Sequence, residues 1–572
     1  MSRRAPAGQL ALPIAEGTAA RPRGGRADGM RGALATARNR LVLGGALFAL
    51  AFATIAVRLV DVALVTDGFE PRAARPPAVS AAELARRDIV DRNGVLLATN
   101  LPTATLYAEP ARVPDARATA ARLAAVLPDL DPATVLARLT GSRNTVWLKR
   151  DLTPRQQKAV NRLGLPGLGF ERAERRVYPL GRLAAHVVGY AGIDNQGLAG
   201  LERAFDAALR TATPGAARPL RLTLDVRIQY LVGDELARAI ARFGAKGGAA
   251  IVMEANSAAV RAMVSLPDFD PNAVGEAPRQ ALFNRASQGA YEMGSTFKIF
   301  TAAMALDSGI ASLGDRYDAT RPIRIARFVI RDYRPENRWL TVPEVFVYSS
   351  NIGAARIAVA VGAAAQRRFL DRLGLLRPAA IEIPEVARPL LPQPWSEIAT
   401  MTVGFGHGLA VSPLQLTAAV AAVVNGGVFH RPTLIAGTRS PGTRVILART
   451  SAELRGLMRR VVEETTGRKA AVPGYAIGGK TGTAEKPGPN GYRRDALLSS
   501  FVAAFPIDRP RFVVFAMLDE PHGRPETLGY ATAGWTAAPL VGRIIARLGP
   551  LAGFPAAAES GSTPREGLRV AF

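Results

Sequence analysis

The most constraining feature of this chain is a helix with no polar face. Residues Ile299-Phe300-Thr301-Ala302-Ala303-Met304-Ala305-Leu306 are apolar almost all round, and Gly309 stops the run. A helix of this kind cannot lie on a surface, so it must sit at the centre of a domain with other elements packed on every side. It is preceded by Gly294-Ser295-Thr296-Phe297-Lys298, so an ionisable lysine enters that interior between Phe297 and Ile299. Ser295 and Lys298 are three residues apart and therefore neighbours on one helical face.

A serine hydroxyl is a weak nucleophile until a base stands beside it. Lys298 is such a base if burial and the positive end of the helix lower its pKa. N–H groups near Ser295 can also stabilise an oxyanion. The composition adds weight. The chain carries 73 Lys plus Arg, but lysine occurs only at 149, 158, 246, 298, 469, 480 and 486. Arginine cannot deprotonate in a protein, whereas a buried lysine can, so a retained lysine marks a position that needs that chemistry. There are no cysteines, which excludes disulfides, thiolate metal sites and a cysteine nucleophile. The net charge of +26 raises nucleic acid as a partner, but the arginines are scattered and not interleaved with aromatics. The plainer reading is a genome-level preference for Arg over Lys, with a surface that tolerates an anionic membrane and an anionic wall.

At 572 residues the chain has room for two or three domains of about 100–200 residues each. Residues 1–40, rich in Ala, Gly, Pro and Arg, read as a disordered cytoplasmic tail. Leu41 to Val57 carries no charge and is just long enough to span a bilayer, with an anchor over 41–65 if Arg58 snorkels. Arg31, Arg38 and Arg40 precede the run while Asp61 and Asp67 follow it, placing the N-terminus inside and the rest outside. A cleaved signal peptide is the competing reading, but Ala51-Phe52-Ala53 lies within the apolar run and not after it.

Residues 66–219 alternate strand-like runs with Ala- and Arg-rich helical stretches. Glu202 there reads as a structural carboxylate and His186 as a hydrogen-bonded core residue. Residues 220–550 change character. Strand pairs at 248–254 and 260–266, and at 498–505 and 511–518, bracket helical stretches at 295–306, 342–361 and 413–424. Strands from both ends enclosing a helical middle predict an α+β fold, with helices packed on an antiparallel sheet. Residues 551–572 read as a flexible tail.

Ser-x-x-Lys alone is common. Downstream, however, come Ser349-Ser350-Asn351, within a predicted helix, and Lys480-Thr481-Gly482-Thr483, on a predicted strand. In this order the three segments match the motif set of serine β-lactamases and penicillin-binding proteins.

The chain resembles the class B penicillin-binding proteins, most closely the division-specific FtsI type, over nearly all of its length after the apolar run. The resemblance runs through Arg87-Asp88-Ile89-Val90-Asp91-Arg92-Asn93-Gly94, Arg176-Val177-Tyr178-Pro179, Gly197 to Glu202, Thr223-Leu224-Asp225 and Ser265 to Asn272. It continues through Tyr291-Glu292, Ile330-Arg331-Asp332, Gly404-Phe405-Gly406-His407-Gly408 and Ser412-Pro413-Leu414-Gln415-Leu416. Asp88 and Met293 depart from the family's usual glycine and proline.

The resemblance implies an elongated pedestal module followed by a transpeptidase domain with a central antiparallel sheet and helices on both faces. It implies Ser295 as nucleophile, Lys298 as base, Ser349 as proton relay and Asn351 as orienter of the donor peptide. Lys480 would hold positive potential over the site. Thr481, Gly482 and Thr483 would bind the donor, and the N–H groups of Ser295 and Thr483 would form the oxyanion hole. The substrates would be peptidoglycan stem peptides, a D-Ala-D-Ala donor and an amine acceptor. β-Lactams would be covalent inhibitors, and no metal or organic cofactor is required. Partners would include a polytopic septal glycan polymerase and other divisome proteins at the inner membrane. An elongation-specific class B enzyme and a non-catalytic scaffold or β-lactam sensor on the same fold are the alternatives. A β-lactamase would need a base for activating water, which no motif supplies.

Overall fold

The computed structural model describes residues 42, 44–57, 86–210, 218–325, 328–438, 440–488 and 491–554. The chain divides into two units, residues 1–79 and 80–572. In the first, residues 42 and 44–57 are helical, with Leu47, Phe48, Leu50 and Phe52 exposed. No helix among the described residues is long and apolar enough to cross a membrane. The expected 1–40 tail, all of 58–65 and the tail after 554 lie outside the described residues.

The second unit is α+β. Its larger part is built on a five-stranded antiparallel sheet of β1 (Gly247–Glu254), β2 (Val260–Leu266), β3 (Gly478–Gly488), β4 (Gly491–Phe505) and β5 (Phe512–Asp519). The order is β3-β4-β5-β1-β2, so the first strands in sequence pair with the last, and β3 is an edge. Successive side chains on a strand point to opposite faces, and both faces here are apolar. Ala249, Ile251 and Met253 enter one core while Ala250 and Val252 enter the other.

One face is covered by α1 (Val226–Phe243) and a C-terminal helix, Ala537–Leu551. Asp225 caps α1 by accepting from Arg227 N, and Gly244 ends it in the left-handed conformation. The other face carries α2 (Lys298–Asp307), α3 (Val342–Val347), α4 (Asn351–Val361), α5 (Pro413–Val424) and α6 (Ala448–Glu464). Every residue of α2 from Lys298 to Leu306 is buried, as its lack of a polar face requires. In α5 all twelve residues are buried, and the Ser412–Gln415 capping box starts it.

The smaller part is a second sheet. Its long strand Leu96–Ala108 pairs antiparallel with Val146–Leu152 and Leu168–Val177. Helices Ala116–Val126 and Pro132–Leu139 bury Leu123 and Leu139 against it. Ile89–Val90 bridges this sheet to Leu220–Arg221 in parallel. Asp91 then accepts from Asn93 N, Val95 N and Val226 N, fastening the turn to the start of α1.

Glu202 is fully buried between Arg86 Nε at 2.5 Å and Arg176 Nε at 2.6 Å, a structural carboxylate. Half-buried His186 contacts the Ala281 carbonyl oxygen through Nε2 at 2.8 Å, and desolvation lowers its pKa to about 4.

Two local expectations are corrected. The segment 342–361 is not one helix but α3 and α4, broken at Tyr348-Ser349-Ser350. Ser349 has φ +62°, which no helix interior accommodates, and Ser350 starts α4 by accepting from Gly353 N. Ser295 does not lie in the α-helix either. Gly294–Phe297 form a 3-10 turn, and the α-helix begins at Lys298.

Candidate active site

In a 3-10 turn the side chains at i and i+3 eclipse one another. That brings the Ser295 hydroxyl over Lys298, with Oγ 2.9 Å from Nζ. Lys298 Nζ also contacts the Ser349 carbonyl oxygen at 2.7 Å, Ser349 Oγ at 3.1 Å and Asn351 Oδ1 at 2.7 Å. From β3, Lys480 Nζ donates to Ser349 Oγ at 2.9 Å and stands 5.8 Å from the Phe346 ring centroid. Three segments far apart in sequence therefore close one polar cluster inside an apolar domain.

The break between α3 and α4 makes this possible. A non-glycine residue at φ +62° costs on the order of 1–3 kcal/mol. At Ser349 that conformation brings both the carbonyl and the hydroxyl to Lys298. Glycine would relieve the strain and remove the hydroxyl. Asp332 holds the break from outside. It accepts from Ser350 Oγ at 2.7 Å, from Asn351 N at 2.5 Å and from Ile352 N at 2.9 Å. The Asn351 amide nitrogen donates to the Arg331 carbonyl at 2.9 Å, which leaves its oxygen turned to Lys298. Asp332 is the contributor that sequence reasoning does not assign. Its segment is recognisable, but its partners lie 18–20 residues away, beyond any local spacing rule.

Burial sets the electrostatics. Lys298 is 2% exposed and Lys480 is not exposed at all. Desolvation pushes Lys298 well below the usual lysine range, the Lys480 ammonium pushes the same way, and Asp332 opposes them. Burial alone lowers Lys480 to about 7. Neutral lysine is thus accessible at ordinary pH.

The remaining predicted residues line the edge of β3. Thr481 Oγ1 lies 3.0 Å from Thr466 Oγ1, and Thr483 Oγ1 accepts from Ala533 N at 3.1 Å. On its outer side β3 has no strand neighbour among the described residues, so its free backbone edge borders the cleft. Ser295 and Thr483 are only half-buried, unlike their neighbours Thr296 and Gly482.

The nucleophile segment meets this strand backbone to backbone. Gly294 has φ +54°, and a β-carbon there would stand 2.5 Å from the Thr483 carbonyl oxygen. Gly406 has φ +90°, accepts from Gly294 N at 3.1 Å, and would place a β-carbon 1.9 Å from the Gly294 oxygen. Met293, where the family has proline, is buried at 1% exposure and accepts from Thr296 Oγ1.

Comparison with known proteins agrees with this geometry. The family described as "Penicillin binding protein transpeptidase domain" matches residues 248–546, which hold every residue of the cluster. The chain belongs to the class B penicillin-binding proteins. The family described as "Penicillin-binding Protein dimerisation domain" matches residues 82–216, the second sheet of this penicillin-binding protein.

Among curated relatives, the "Probable peptidoglycan D,D-transpeptidase FtsI" of Caulobacter vibrioides is 42% identical over 483 residues, covering 82% of each chain. The "Peptidoglycan D,D-transpeptidase FtsI" of Escherichia coli K12 is 31% identical, over 89% of this chain and 90% of its own. A solved structure of penicillin-binding protein 3 from Mycobacterium tuberculosis, complexed with aztreonam, is 27% identical with a TM-score of 0.66. That match covers 83% of this penicillin-binding protein and 98% of the solved chain.

Proposed function

We propose that this penicillin-binding protein is the D,D-transpeptidase that cross-links peptidoglycan stem peptides at the division septum. The observation that carries the chemistry is the convergence of Ser295 Oγ, Ser349 Oγ and Asn351 Oδ1 on the buried Nζ of Lys298. Neutral Lys298 takes the proton from Ser295 as its Oγ attacks the carbonyl carbon of the penultimate D-Ala. The N–H groups of Ser295 and Thr483 receive the oxyanion. The carbon–nitrogen bond breaks, and the proton reaches the departing D-Ala amine through Ser349, which Lys480 polarises. An amine of a second stem then attacks the ester, gives up a proton, and Ser295 regains its own. Asn351 and the edge of β3 at Thr481–Thr483 hold the donor, with the threonine hydroxyls on its terminal carboxylate.

Two features support the cellular setting. The uncharged run 41–57, with arginines before it and aspartates after it, supports a single-pass anchor with the catalytic domain outside. The relatives named FtsI support septal and not lateral wall synthesis. In this reading residues 1–40 are cytoplasmic, 66–219 form the pedestal, and a polytopic glycan polymerase is the partner.

Mass spectrometry of the purified chain after a penicillin tests the chemistry. The expected result is one covalent adduct on Ser295, and an unmodified protein would overturn it. Depletion tests the setting: filaments are expected, and round cells would favour the elongation enzyme.

A further inference from the structure

Behind Lys298 lies a cavity of about 10 Å³, room for roughly one water molecule. Among its walls are Lys298, Thr301 and Ala302 of α2, Val345 and Phe346 of α3, and Ile357 of α4. A buried water needs about two to four polar partners, and these walls do not supply them. Thr301 Oγ1 is committed to the Gly404 carbonyl at 2.6 Å. Lys298 Nζ already faces the oxygens of Ser295, Ser349 and Asn351. The other lining side chains are aliphatic or aromatic, so the chemistry of the walls keeps the cavity dry.

Phe346 reaches both lysines. It lines the cavity beside Lys298, and its ring centroid is 5.8 Å from Lys480 Nζ, inside the range of about 6 Å over which an aromatic face attracts an ammonium. The side chain is buried, and its place is fixed from both ends of α3. The Thr341–Glu344 capping box starts the helix. At its end the Val345 carbonyl accepts from Ser350 N at 3.0 Å and the Val347 carbonyl from Thr465 Oγ1 at 2.9 Å. The ring therefore stands three residues before the Ser349 break. It carries no group that reacts, so the acyl transfer itself does not explain an aromatic residue between the two ammonium groups and a dry void.

We infer that Phe346 is a positioning residue for acyl transfer: its ring walls the cavity off from Lys298 and Lys480 and keeps water from both. This rests on the transpeptidase reading above. Desolvation is the largest influence on each lysine, and it is what favours the neutral base. The charged groups acting on Lys298 are Lys480 from β3 and Asp332 from the segment before α3, and His407 of the 404–408 loop feels the Lys298 charge in turn. Water admitted beside the pair would solvate the ammonium forms and leave Lys298 less ready to take the Ser295 proton.

The test follows the lysines by NMR of the full chain labelled with 13C-lysine, with no substrate present. The chain has only seven lysines, so Lys298→Arg and Lys480→Met assign the two buried signals. Phe346→Ala opens the wall, Phe346→Val opens it less and guards against a failure to fold, and Phe346→Leu removes the ring but keeps the site filled. In the Ala and Val variants the buried pair is expected to titrate about one pH unit or more above the parent. The acid limb of acylation by a labelled penicillin should move with it, and the rate should recover at higher pH. Phe346→Leu loses the attraction of the ring for the Lys480 ammonium and admits no water, so its pair should titrate at or below the parent value. A lower melting temperature with no upward shift in the Ala or Val variant would make Phe346 packing alone and overturn the proposal. An equal upward shift in Phe346→Leu would also overturn it, because water entry would not be the cause. A parent chain that titrates as expected but forms no penicillin adduct would instead overturn the transpeptidase reading.

Discussion

Lys298 and Lys480 converge on a single hydroxyl: the Ser349 Oγ lies 3.1 Å from the first ammonium nitrogen and 2.9 Å from the second. Two protonated lysines so close together in a dry site repel one another strongly. Their shared hydroxyl therefore links the charge of one to the basicity of the other.

The pH profile of acylation should report this link. Lys298 must be neutral to accept the Ser295 proton, so the rate rises with pH through its lowered pKa. Replacing Lys480 with Met removes a positive neighbour, makes protonated Lys298 easier to hold, and raises its pKa. The acid limb of the rate of acylation by a labelled penicillin should move to higher pH in Lys480→Met, with a lower plateau.

Arginine at position 298 keeps the charge and hydrogen-bonding capacity but cannot deprotonate. Lys298→Arg should lose about 10²–10⁴-fold in acylation rate, measured by stopped-flow or quenched-gel labelling. Rates within tenfold of the parent would remove Lys298 from the role of base.

Asp332 touches no reacting atom in this cluster and acts by positioning Ser350 and Asn351. Asp332→Asn keeps the shape but turns one acceptor into a donor facing Ser350 Oγ or the backbone N–H groups. The loss of charge-assisted bonds is worth about 1–3 kcal/mol. Acylation should slow by about tenfold or more, and because the Asp332 charge raises the Lys298 pKa its loss should move the acid limb to lower pH. A purely structural residue would instead lower the melting temperature and leave the rate of the folded fraction unchanged.

Glu202 lies between two guanidiniums that have been taken out of water. Glu202→Gln leaves the buried Arg176 guanidinium without its carboxylate and Arg86 with Asp206 as its remaining one among the described residues, which costs about 3–5 kcal/mol. Thermal unfolding should begin at a clearly lower temperature. Truncating the exposed Glu526, which pairs with the half-exposed Arg242, should shift it little.

Much of the site is legible in the sequence because its chemistry needs rare residues in demanding places. A lysine inside an all-apolar helix, and another after Gly478-Gly479 on a strand, are costly to bury unless their charge or basicity is used, and both are buried. The sheet is legible from strand pairs at the two ends of the domain, whose register joins Glu254 to Phe512. Two features are not readable. The break at Ser349 is invisible to periodicity, because residues on both sides favour helix and the left-handed turn is imposed by contacts with Lys298 and Asp332. Asp332 itself contributes through tertiary placement alone. The proposed membrane anchor rests on hydropathy and charge asymmetry, which are properties of the sequence itself.

The glycine seam around the nucleophile limits how this protein can change. At Gly294 and Gly406 any side chain would strike the backbone of the opposing segment, and at Gly482 a β-carbon would stand 2.4 Å from the Met293 oxygen. A population exposed to a β-lactam therefore has few survivable substitutions in the seam itself. Drug tolerance that preserves cross-linking must be reached from the rim, through residues whose side chains already face solvent. The wall-building reaction and the inhibitor that mimics its substrate are thus separable only at the margins of the cleft.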